Sequence, residues 1–165
     1  MSEGGSSGPG TAATAILDWP HPRVTALAAR LPGAGTPPRA LVRAAHTLVS
    51  RTIRPVYAMN DEQPVSVTVA RGRGSCSQRM AVLEALARGR GIATRVRGRV
   101  VDGAFWHSRF PRMRPLVPAD VILAWPEFLL EEGWVPISEL FREHGRTLCQ
   151  VARLVADPVL SRRSA

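Results

Sequence analysis

The chain has no lysine, only two cysteines and one tyrosine, and no apolar run approaching the length of a membrane span. Each shortage excludes something. A helix needs about 20 successive apolar residues to cross a bilayer, so no membrane partner is expected. Cys76 and Cys149 are too few for a disulfide scaffold, and neither stands in metal-ligand spacing. That pattern predicts a reduced, cytoplasmic setting with no metal and no cofactor. The opening MSEGGSSGPGTAATA lacks the basic segment and apolar block of a secretory signal. Aromatics are 5% of the chain, which leaves little for stacking on bases. All 22 basic residues are arginines, scattered along the chain, and the net charge is +9. Arginine throughout, with abundant alanine, glycine and proline, is the composition expected of a GC-rich bacterial genome. The charge could attract nucleic acid, but the scatter of the arginines, the few aromatics and the lack of a recognisable motif count against that partner. An acidic small molecule or an acidic carrier protein fits it equally well.

What is present suffices for one core. At 165 residues and 45% hydrophobic, the chain is most simply one domain. Residues 1–18 are rich in Gly, Ser, Ala and Thr and predict a disordered tail, leaving 19–165 as the domain. A short helix is predicted over Val24–Leu31, stopped by Pro32-Gly33. A second helix comes next, with Thr36 as N-cap and its apolar stripe on Leu41, Ala45, Leu48 and Thr52, flanked by Val42, Val49 and Ile53. His46 lies beside that stripe and reads as a packed or surface histidine. Residues 58–70 predict a loop and a short extended piece, VSVTVA.

Ser75 and Gln78 form the Ser-x-x-Gln pattern of a capping box, which makes Cys76 the first helical residue. Cys76, Met80, Leu83 and Ala87 share a face, and Gly89 and Gly91 end the helix. Ile92–Val101 alternates, predicting a half-buried strand with Thr94, Val96, Gly98 and Val100 on one side. Arg95, Arg97 and Arg99 form the solvated other side. Beyond Gly103 lies an irregular insert, AFWHSRFPRMRPLVPAD. Val121–Leu130 and Trp134–Ile137 then predict an antiparallel hairpin around Glu131-Glu132-Gly133. Glu139–His144, with Ser138 as N-cap, and Leu148–Ala156 predict terminal helices.

A cysteine at a helix N-terminus faces the positive end of aligned peptide dipoles, which favours thiolate. Gly72 and Gly74 before it could bring backbone N–H groups close to an oxyanion. The order Cys76-helix, Gly91-Ile92-x-x-Arg95, strand, then Ala124-Trp125-x-Glu127, turn, Trp134-Val135 resembles the core of the transglutaminase-like (papain-like cysteine) superfamily. The resemblance covers residues 70–138. It implies an α+β fold in which N-terminal helices precede a cysteine-bearing helix packed on a small antiparallel β-sheet.

The resemblance also implies roles. Cys76 takes the nucleophile's position, but Leu123 stands where the catalytic histidine belongs and Ser138 where the orienting aspartate belongs. Neither can accept a thiol proton or orient an imidazole. Alternation puts Leu123, Trp125 and Glu127 on one strand face, so an apolar side chain is expected opposite Cys76. His107, in a lid-like insert with Phe105, Trp106, Phe110 and Arg109, and Glu127 are the alternative proton carriers. Ser75, Trp106, Leu123 and Trp125 would line the pocket. His144 and Asp120 carry no distinct signal, and Cys149 reads as core. Two functions are compatible with these roles. One is a non-standard enzyme of specialised metabolism promoting acyl transfer, cyclisation or rearrangement. Its partner would be a small-molecule or carrier-bound acyl substrate, with another biosynthetic protein beside it. The other is an inactive binding or scaffold domain.

Overall fold

Prolines open each of the first three helices. Pro22 and Pro38 stand in the first turn of α1 (Pro22–Ala28) and α2 (Pro38–Thr52), and Pro64 is the N-cap of α3 (Val65–Arg71). In a first turn the missing N–H has no intrahelical partner to lose, and the fixed φ already suits the helix. The computed structural model describes residues 10–56, 62–102 and 120–140. The further elements there are the short strands β1 (Arg54–Pro55) and β2 (Arg73–Gly74), helix α4 (Cys76–Arg88), and strands β3 (Thr94–Asp102), β4 (Asp120–Leu130) and β5 (Gly133–Pro136). A 3-10 turn, Ile137–Glu139, ends the described chain.

Helix α1 begins before the expected Val24 because His21 Nδ1 accepts the N–H of Arg23 and caps it. Residues 29–31 wind more tightly instead, with Arg30 and Leu31 N–H groups reaching back three residues. Thr36 is not the cap of α2: its hydroxyl donates to the Gly33 carbonyl, and Pro37 holds the N-cap position. The buried stripe of α2 is Leu41, Val42, Ala45, His46 and Val49. Its histidine is therefore packed rather than exposed.

The segment VSVTVA is helical, not extended. Val65 and Thr68 are fully buried, and the Ser66 N–H is received by Asp18 Oδ1 at 2.9 Å. Tertiary burial and a remote carboxylate cap outweigh the β-branched composition. Gly72, at φ +59°, closes α3 in the left-handed conformation, and the chain turns directly into β2. There Arg54 pairs with Arg73 and Pro55 with Gly74 in parallel.

Helix α4 is the centre of the fold, with α1, α2, α3 and the sheet packed around it. The capping box at its start is formed as expected. Its end is a Schellman motif: Ile92 N–H bonds the Ala87 carbonyl and Gly91 N–H that of Arg88, with Gly91 at φ +78°. The single apolar face expected for this helix is too narrow a description. Gln78, Arg79, Val82, Glu84, Ala85 and Leu86 are buried along with Met80, Leu83 and Ala87.

Strands β3, β4 and β5 form an antiparallel sheet in that order. Thr94 pairs with Phe128, and Phe128 with Val135. These three are buried, and the Thr94 hydroxyl donates to Glu84 Oε2 on α4 at 3.0 Å. Farther along β3 the expected half-burial fails: Val96 is 51% and Val100 63% exposed. The arginine side is also less solvated than alternation suggests. Arg95 ion-pairs with Glu127 and stacks over Trp134, 4.2 Å from the ring centre.

Two further expectations change. Residues 10–18 are not a loose tail. Leu17 is in the core, the Gly10 carbonyl accepts the Thr94 N–H, and the Ala12 carbonyl accepts from Arg88. Ser138 does not cap a helix beginning at Glu139; it lies inside the 3-10 turn, whose N-cap is Pro136. The remainder of Glu139–His144, all of Leu148–Ala156, and the insert lie outside the described residues.

Glu84 joins α4 to β3. Burial raises its carboxyl above the ordinary value of 4.5, and the Thr94 hydrogen bond and Arg88 charge only partly oppose this. A raised carboxyl disfavours the folded state once ionised, so its contribution is best below about pH 4.5 and worsens as pH rises through the raised value. Glu84→Gln keeps an acceptor for Thr94 and removes the buried charge. It is expected to match or exceed the parent in Tm at pH 7. A drop of several degrees in a thermal melt would contradict this.

Candidate functional site

The site begins with the local chemistry of residues 72–79. Backbone bonds hold β2 against β1: Arg54 N–H to the Gly72 carbonyl at 2.8 Å and Val56 N–H to that of Gly74 at 3.0 Å. Ser75 then caps α4. Its Oγ accepts the Gln78 N–H at 3.2 Å, while its own N–H donates to Gln78 Oε1 at 3.0 Å. Two of the N–H groups left over by the first turn are thereby satisfied. Cys76, the first helical residue, is a half-buried free thiol.

Gly72 and Gly74 both serve the scaffold. Gly72 supplies the left-handed cap of α3. At Gly74 a Cβ would lie 2.8 Å from Thr68 Cγ2 and 3.1 Å from Gln78 Cβ. The glycine lets β2 lie flush against α3 and the capping glutamine.

The residue that sequence reasoning missed is Arg79. It stands three positions after Cys76, so the two side chains share the first turn's surface, and it is 1% exposed. Burial lowers its affinity for a proton, and the sulfur of Cys76 acts in the opposite sense, holding the cation. A guanidinium stays charged in proteins. The molecule therefore places a permanent positive charge inside its core within electrostatic reach of the thiol. Its spacing from Cys76 was the available signal; the assumption of one apolar face concealed it.

The other expected site residues fall into three groups. Ser75 and Cys76 stand together at the head of α4. Trp125 and Glu127 are on β4, Trp125 half-buried against the hydrophobic core. Glu127 is engaged by the arginines of β3. Thr94 turns toward α4, so its neighbour Arg95 and Arg95's cross-strand partner Glu127 turn to the opposite face. There Glu127 Oε2 accepts from Arg95 at 2.6 Å and Arg97 at 3.2 Å. Burial alone would raise its carboxyl, but hydrogen bonds and charges from the two arginines outweigh it and hold it below 4.5. A carboxylate so stabilised is a poor proton acceptor. Leu123 is paired through its backbone with Arg99; its side chain, Trp106, His107, His144 and Cys149 lie outside the described residues.

Among the described residues no cluster of three or more His, Cys, Asp or Glu could hold a metal ion, and no helix is long and apolar enough to cross a membrane. What the arrangement offers chemically is a thiol at a capped helix start, donors of the first turn, and a buried cation. A family model described as the transglutaminase-like superfamily matches residues 25–138. No curated protein and no solved structure matches the chain.

Proposed function

From the premise that this chain belongs to the transglutaminase-like superfamily, we propose that it is a non-standard acyl-transferring enzyme with Cys76 as nucleophile. The observation that carries this reading is the buried guanidinium of Arg79 one turn along from a half-buried, helix-capped thiol. A cation beside the sulfur stabilises the negative charge that passes through this site during acyl transfer. The family's imidazolium would serve the same electrostatic purpose, whereas an arginine cannot also carry the proton.

That division of labour selects the chemistry. An amide nitrogen must be protonated to leave, which calls for a general acid. A thioester's sulfur leaves as a thiolate of moderate basicity and needs none. In the proposed cycle the Cys76 thiolate adds to the acyl carbon of a carrier-bound or small-molecule thioester. The tetrahedral oxyanion is met by first-turn N–H groups and collapses, expelling the donor thiolate and leaving an acyl-Cys76 thioester. An amine or hydroxyl, on a second molecule or the same acyl chain, then attacks and releases the Cys76 thiolate. Transfer or cyclisation results, and His107 is the proposed acceptor of the attacking group's proton. The setting proposed is bacterial biosynthesis of a natural product in the cytoplasm, with another biosynthetic protein supplying the acyl group.

The second reading, a pseudoenzyme serving as a scaffold, is favoured by one observation: Glu127 is committed to Arg95 and Arg97. Intact-mass and peptide-level analysis after exposure to a simple acyl thioester separates the two. The enzyme reading expects a one-acyl mass increase at Cys76, absent in Cys76→Ala, and iodoacetamide alkylation at pH 7 about tenfold faster than at an unstructured cysteine peptide. A chain that takes up no acyl group and alkylates no faster than the peptide is the scaffold.

A further inference from the structure

The two-strand ladder that leads into Cys76 carries an electrostatic oddity. Arg54 and Arg73 are directly opposite one another in parallel register, and both are exposed. Like charges placed directly across a strand pair destabilise it. Among the described residues neither side chain has a carboxylate partner or a hydrogen bond. Arg51, also exposed, lies near the end of α2, three residues before Arg54. The first turn of α4 contains no acidic residue to offset them. Among the described residues Arg23 and Arg30 are also exposed without a carboxylate partner, so what sets this ladder apart is two such arginines directly opposite each other.

Position gives the pair meaning. Three extended residues span at most about 10 Å, so Arg73 is anchored within that distance of Cys76. The strands run toward the start of α4, whose dipole adds further positive potential. We propose that Arg54 and Arg73 bind an anionic group, a carboxylate or phosphate, on the substrate that acylates Cys76. The inference rests on the reading of Cys76 as a nucleophile and narrows it. The acyl donor or its carrier arm bears a negative charge about 10 Å from the reacting carbon, and the arginine pair sets the substrate's orientation. Guanidinium forks suit both anions through paired N–H donors.

The test compares two alkylating probes of similar size, one anionic and one neutral. Second-order rates of iodoacetate and neutral iodoacetamide at Cys76 are measured by peptide mapping, at low ionic strength, for the wild type and for Arg54→Gln/Arg73→Gln. Two unit charges about 10 Å away in water raise the iodoacetate-to-iodoacetamide ratio about threefold over an unstructured cysteine peptide, and 1 M salt removes the excess. The expected result is that excess in the wild type, its loss in the double variant, and its suppression by inorganic phosphate in the wild type. Relief of repulsion should leave the variant's Tm equal or higher, which shows that it folds. A wild-type ratio equal to the peptide's, or one unchanged in the variant, overturns the anion site while leaving a reactive Cys76 intact. A thiol inert to both probes overturns the nucleophile reading and this inference with it.

Discussion

Arg79→Met is expected to slow alkylation and acylation of Cys76 at pH 7 by about tenfold. A unit charge about 6 Å from a thiolate is worth about 3 kcal/mol at an effective dielectric constant near 20, and water at a half-buried sulfur reduces that to about the 1.4 kcal/mol of a tenfold effect. Arg79→Met also removes a buried group that has a partner of its own, so its Tm is expected to fall as well. Arg79→Lys retains the cation and is expected to recover most of the rate. Rescue by the conservative variant supplies the decisive readout, measured on variants shown to be folded by circular dichroism. A merely structural role would leave folded Arg79→Met alkylating as fast as the wild type.

The largest expected loss of stability comes from one added methyl. In Gly74→Ala the new carbon would lie 2.8 Å from Thr68 Cγ2 and 3.1 Å from both Gln78 Cβ and Gln78 Oε1. Neither neighbour can yield cheaply. Thr68 is fully buried and β-branched, its hydroxyl receiving a hydrogen bond from Gln63 at 2.8 Å. Gln78 is committed to the cap, its Oε1 receiving the Ser75 N–H. Overpacking costs about 1–3 kcal/mol and a lost cap about 1 more. A total near 3 kcal/mol corresponds to a fall in Tm of about 6–12 °C. Gly33→Ala is the control, since a Cβ there meets nothing within 4 Å. Equal melting points for the two variants would refute the packing argument.

Legibility tracked the range of the forces involved. The cap at Ser75–Gln78, the stop at Gly91 and the turn joining β4 to β5 are set by neighbours within a few residues, and the amino-acid pattern displays them. The family's order of elements likewise carried the α+β architecture. Helix α3 was hidden because its valines and threonine prefer strands, while Asp18, 48 residues away from Ser66, supplies its cap. Arg79 and Glu84 were hidden because periodicity assumes one wet side on every helix. Helix α4 has almost none, being surrounded by three helices and a sheet. The ion pairs of Glu127 with Arg95 and Arg97 were hidden because alternation shows which residues share a face but not which partners the neighbouring strand brings to it.

The strap formed by residues 10–17 carries a practical consequence for where this folding unit begins. The stretch matched to the family starts at residue 25, yet the strap is tied into the fold along its length. The Gly10 carbonyl holds β3, the Thr11 carbonyl receives the Trp19 indole, and the Leu17 side chain is buried in the core. A recombinant fragment cut at the family boundary would uncover the junction of α4 with β3 and surrender the carbonyl that receives Arg88. Affinity tags and cleavage sites belong upstream of Gly10.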